Sequence, residues 1–113
     1  MKKNIHVFLQ HMLESIIDIE EFTQDSAKSD FLDDKKTRSA VIRQLEIIGE
    51  AAKNIPPEFR KEHPEIDWLR MAGMGDKLIH HYFKVDLDLT WEVVNTSLPD
   101  LKKKIEKILK EVK

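Results

Sequence analysis

Apolar residues fall along this chain at alternating intervals of three and four, the rhythm that lines one side of an α-helix. Ile5, Leu9, Met12, Ile16 and Ile19 form the first such stripe and predict a helix from about residue 3 to 23. Val41, Leu45, Ile48, Ala52 and Ile55 form the second, which must stop at Pro56 and Pro57 because neither can donate a backbone N–H. Thr23 to Lys36 between them is polar, with Ser29 or Asp30 as the expected cap of an early start to the second helix. Residues 57–64, bracketed by prolines, read as a short helical connector. Asp67 then suits the N-cap of a helix from Trp68 to about Phe83, with Trp68, Met71, position 75, Leu78 and Tyr82 on its stripe. The longest stripe runs through Leu87, Trp91, Val94, Leu98, Leu101, Ile105, Ile108 and Val112. It passes Pro99 without losing phase, which predicts one long helix kinked there or two nearly collinear ones.

Narrow seams, short connections and the lack of any strand-like alternation predict an all-α fold, an antiparallel bundle of four to five helices. A length of 113 residues suits one domain covering residues 1–113. Apolar residues at 41% and charged residues at 35%, with three glycines and four prolines, fit a soluble, mostly helical chain rather than a disordered one. The net charge of −2 and pI near 6.2 argue against a broad electropositive surface, so any nucleic-acid contact is expected to be local. Lys102 to Lys104, Lys107, Lys110 and Lys113 interleave with the last stripe. They read first as a solvated helix face, with an RNA-facing surface as the sharper alternative. The absence of cysteine excludes a disulfide framework and thiolate metal sites, and a cytoplasmic location is expected. The apolar run Val7 to Leu9 is cut by Gln10 and His11 too soon for a signal peptide, and nothing approaches the roughly 18 apolar residues of a membrane span.

Candidate chemistry gathers between Gly73 and Phe83. His80 is the natural proton carrier, because an imidazole titrates near neutral pH and can both accept and donate. Asp76 lies one helical turn earlier, close enough to orient that ring or favour its protonated form, although an Asp-His pair at this spacing is also ordinary helix chemistry. Tyr82, the single tyrosine, reads from its place on the stripe first as a core or interface aromatic with its hydroxyl at the edge. Gly75 in mid-helix costs roughly 1 kcal/mol relative to alanine and permits close approach of a second helix. His81 points about 100° away from His80, so the two do not chelate one ion, and His6, His11 and His63 lack partners at ligand spacing. No metal and no cofactor is expected.

Several segments in order resemble the HEPN-domain ribonuclease toxins of the HepT type: Ile47 to Lys53, Pro57 to Arg60, His63 to Trp68, Ala72 to Met74 and Leu78 to Phe83. The likeness continues through Val85 to Leu87 and Trp91 to Leu98-Pro99, and covers most of the chain after about residue 37. The resemblance implies a dimeric HEPN-like bundle, a metal-independent endoribonuclease forming a type VII-like toxin–antitoxin pair with a small nucleotidyltransferase. The partners it implies are RNA as substrate, that antitoxin, and a second copy of the chain, as a homodimer or within a larger hetero-oligomer. The family's motif is arginine, four residues, histidine, one residue, tyrosine. Its histidine falls on His80 and its tyrosine on Tyr82, the arginine's place is taken by Gly75, and the polar residue after that arginine is Asp76. By the same analogy the antitoxin neutralises the toxin by transferring AMP to the Tyr82 hydroxyl.

Those residue types suit metal-free RNA cleavage, in which a histidine moves protons and a guanidinium stabilises charge developing on the phosphorane. Gly75 supplies no guanidinium, and losing such a donor costs on the order of a hundred- to a thousand-fold in rate. Arg70 faces elsewhere on the helix, and Lys77 or Lys84 lacks the planar fork. Impaired cleavage is therefore expected. The alternative is a non-catalytic helical partner of the nucleotidyltransferase that accepts AMP on Tyr82, and a third reading is a bundle that recognises an unrelated ligand.

Overall fold

The computed structural model describes residues 5–79 and 86–111, with positions 75–79 followed as helix path alone. The described residues form an all-α fold with no strand: α1 (Ile5–Phe22), α2 (Lys28–Asp33), α3 (Lys35–Lys53), α4 (Pro57–Glu62), α5 (Trp68–Ile79), α6 (Leu87–Glu92), a π-helical turn (Val93–Ser97) and α7 (Leu98–Glu111). The central element is α3, which packs against α1 on one side and α5 on the other, while α7 closes over α1 and α2 bridges α3 to α6. The first two predicted stripes are buried as read except at Ile5, which is only partly so: Leu9, Met12, Ile16 and Ile19 on α1, and Val41, Leu45, Ile48 and Ala52 on α3 with Ile55 just beyond it.

The polar stretch before α3 differs from expectation. Neither Ser29 nor Asp30 starts the long helix. A separate short helix intervenes, in which the Asp30 carboxylate accepts a hydrogen bond from the Ala27 N–H (2.9 Å), and Asp34 caps α3 by accepting from the Thr37 N–H (3.1 Å) and the Thr37 hydroxyl (2.7 Å). Asp34 is at once the end of this short helix and the cap of the next, and Phe31 between Ala27 and Asp34 is buried in the core. It packs against Trp91 with ring centroids 5.2 Å apart.

The last stripe also departs from its expected course. It slips by one residue at the π turn: downstream, Leu98, Leu101, Ile105 and Ile108 are buried as predicted, whereas upstream Thr90 is buried and Trp91 only partly so. A π turn bonds each N–H to the carbonyl five residues back, as the Leu98 N–H does to Val93, and so holds one residue more than an α turn. Everything before it is rotated by roughly 100°. Pro99 supplies the cause: it has no N–H to give Asn95 and its ring crowds that carbonyl, so the preceding turn opens. The disturbance thus takes the form of an inserted residue, and it brings both Val93 and Val94 into the core. Val112 lies outside the described residues.

Candidate active site

The helix that carries the candidate motif is fixed firmly at its start. Arg60 ties the connector α4 to the end of α3, donating from Nε to the Ile55 carbonyl (3.0 Å) and from Nη2 to the Ala52 carbonyl (2.9 Å). The Phe59 ring meets His63 at 4.6 Å and the edge of Trp68 at 6.2 Å, and the Trp68 indole N–H donates to the His63 carbonyl (2.9 Å). Asp67 caps α5 as predicted, its carboxylate accepting from the Arg70 N–H at 3.1 Å. Trp68, Met71 and Met74 are buried toward the core. Gly73, by contrast, faces open space among the described residues, with nothing beyond its own stretch of helix within 4 Å of where a Cβ would stand, and Leu69 one turn earlier is 79% exposed.

Gly75 and Asp76 lie on the continuous path of α5, which runs as helix to Ile79. Their side-chain surroundings are not among the described features, and His80, His81 and Tyr82 lie outside the described residues, as does the predicted helix end at Phe83. The chain is again described at Asp86, whose carboxylate accepts from the Leu89 N–H (2.9 Å) and caps α6. The candidate segment therefore lies between α5, capped at its start by Asp67, and α6, capped at its start by Asp86.

The remaining histidines have ordinary settings. His63 is half-buried against Phe59, with Nδ1 3.0 Å from the Glu65 carboxylate. That carboxyl is held below the usual range by a hydrogen bond from its own backbone N–H and then by His63. His6 and His11 are exposed on α1.

Two clefts flank the π turn, and Thr96 lines both. One, about 330 Å³, lies between the starts of α5 and α7, among Asp67, Arg70, Ser97, Asp100 and Lys104. The other, about 450 Å³, opens beside Asp86, Asp88 and Trp91, where Lys28 pairs with Asp88 at 2.9 Å. Neither cleft is marked by a sequence motif. Their only trace in the sequence is the polar triplet Asn95-Thr96-Ser97 interrupting an apolar rhythm just before Pro99. Among the described residues no helix is long and apolar enough to cross a membrane.

Residues 12–108 match the family described as "Ribonuclease HepT-like". The chain is 54% identical over 110 residues to "Probable ribonuclease HepT" of Thermococcus cleftensis, an alignment covering 97% of this chain and 100% of that protein. It is 51% identical over 112 residues to "Gamma-glutamylcyclotransferase and putative RNase MJ0434" of Methanocaldococcus jannaschii, covering 99% of this chain but only 50% of that longer relative. No solved structure matches the chain.

Proposed function

Because the chain belongs to the HepT-like ribonuclease family, we propose that it is the toxin of a toxin–antitoxin pair, a metal-independent endoribonuclease slowed by Gly75 and silenced by AMP transfer to Tyr82. The observation that carries this reading is that the family match spans residues 12–108, the range in which Asp76, His80 and Tyr82 fall, with positions 75 and 76 on a helix capped by Asp67. In the proposed reaction the RNA 2′-oxygen attacks the adjacent phosphorus and the bond to the 5′-oxygen breaks. The 2′-hydroxyl proton is taken up by a histidine and a proton is returned to the departing 5′-oxygen, with His80 moving both and Asp76 orienting its ring. Two protomers supply two copies of each group to one groove. A nucleotidyltransferase would transfer AMP from ATP to the Tyr82 oxygen with release of pyrophosphate, placing bulk and negative charge beside that groove.

Gly75 favours a second reading, a helical binding partner that accepts AMP on Tyr82 without cutting RNA. One experiment separates the two. Gly75→Arg should raise cleavage of total RNA by about a hundred- to a thousand-fold over the parent, and His80→Ala placed on that variant should remove about a hundred-fold or more of the gain. A folded Gly75→Arg protein that leaves RNA intact, yet gains one AMP unit on Tyr82 with the nucleotidyltransferase and ATP, establishes the second reading and ends the first.

A further inference from the structure

We infer that the outer face of α7 is a phosphodiester-binding track on which Lys103, Lys107 and Lys110 hold the backbone of a single-stranded RNA. The inference rests on the ribonuclease reading above and adds to it a second surface, on a different helix from the motif. These three lysines recur at intervals of four and three, so they share one helix face, and all three are exposed. None takes part in an ion pair or side-chain hydrogen bond, whereas the two lysines beside them are engaged, Lys102 with Glu20 at 2.9 Å and Lys104 with Asp100 at 2.8 Å. Glu106 and Glu111 on the same helix make no ion pair with them, and Lys107 stands near enough to Glu65 to help hold that carboxyl below its usual range.

The contrast in charge between α7 and its neighbour α1 supports the same placement. Helix α7 carries five lysines against three acidic residues, while α1, packed beside it, carries Glu14, Asp18, Glu20 and Glu21 and no lysine or arginine. Within a chain of net charge −2, α7 is thus a local excess of cations, as is α3, where Lys35, Lys36, Arg38, Arg43 and Lys53 stand against Glu46 and Glu50. A polyanion is repelled by the α1 face and attracted to the α7 face, a local contact through which an acidic protein can hold RNA. The clefts do not compete for this role. The one nearest α7 sets Glu65, Asp67 and Asp100 against Arg70 and Lys104, an excess of carboxylates. From Lys103 to Lys110 the track spans about 10 Å, the axial length of about three stacked nucleotides.

The test is the salt dependence of binding. A fluorescent single-stranded RNA is titrated with the parent and with K103Q/K107Q/K110Q between 50 and 200 mM salt, with K35Q/K36Q/K61Q as a control of equal charge change. Three phosphate contacts contribute about 2 to the slope of log affinity against log salt, so the parent should lose about 20-fold more affinity than the track variant over that range, and the control should follow the parent. A track variant with the parent's slope, or a control that falls equally, overturns the inference while leaving the nuclease reading intact. If polyglutamate binding is lost in the track variant and RNA binding is not, the face belongs to an acidic polypeptide and the inference is overturned. A parent that binds no RNA brings down the ribonuclease reading as well.

Discussion

Asp34 shows how much of this fold can rest on one short side chain. It closes the start of α3, the helix on which the others assemble, by accepting from both the backbone N–H and the hydroxyl of Thr37, and those same bonds hold its carboxyl below the usual carboxylate range. A group whose folded pKa is depressed stabilises the protein above its unfolded pKa of about 3.9 and loses that contribution as pH falls through the lower folded value. Asp34→Ala should therefore melt at a lower temperature than the parent at pH 7, and the gap should shrink as pH is taken from 5 toward 2. Asp34→Asn keeps an acceptor for the Thr37 N–H and should stay near the parent at pH 7 without that acid dependence. Thermal unfolding of the three proteins across this range checks it; a gap independent of pH would show that the carboxylate's charge plays no part in the cap.

At the scale of elements, the sequence was legible wherever local rhythm and tertiary burial agree. The stripes of α1 and α3 repeat long enough to exclude other readings, and Asp67 stands alone before an apolar run, so its cap is plain. Phe31 was not legible as core, because one aromatic in a polar stretch has no rhythm to declare it, and its burial depends on Trp91, which is distant in sequence. The π turn was hidden for a related reason: the stripe from Leu87 to Ile108 satisfies an uninterrupted α-helix, and only packing decides that a residue is inserted. Of the candidate site, residue types and order were readable from His80 and Tyr82, while their mutual geometry depends on a segment outside the described residues. The register itself is open to test at Thr90, fully buried, with its hydroxyl donating to the Asp86 carbonyl at 2.8 Å. That carbonyl also accepts from the Thr90 N–H, so Thr90→Val leaves no acceptor stranded and should change stability by less than about 1 kcal/mol. Thr90→Glu buries a charge without a partner and should cost several kcal/mol in urea unfolding, more than Trp91→Glu. The opposite ranking of the two glutamates would restore the uninterrupted helix.

For the whole molecule, α3 is the element from which loss spreads furthest, because it alone packs against α1, α2 and α5. Ile48 sits fully buried on its inward stripe, in the same cluster as residues of α1, α5 and α7. Truncating it removes apolar contact and leaves a cavity that neighbours held on several sides cannot collapse to fill, a combination that costs about 2–5 kcal/mol. Domains of this size are stable by only about 5–15 kcal/mol, so Ile48→Ala should shift the urea midpoint sharply while leaving the slope unchanged. Leu69 offers the contrast: equally apolar, one helix away, but 79% exposed. Leu69→Ala should change stability by no more than about 0.5 kcal/mol if that face meets water in solution. If Leu69→Ala instead loses stability in proportion to protein concentration, the face made by Leu69 and the open position Gly73 is covered by a second copy, since only an association equilibrium makes an unfolding midpoint depend on how much protein is present.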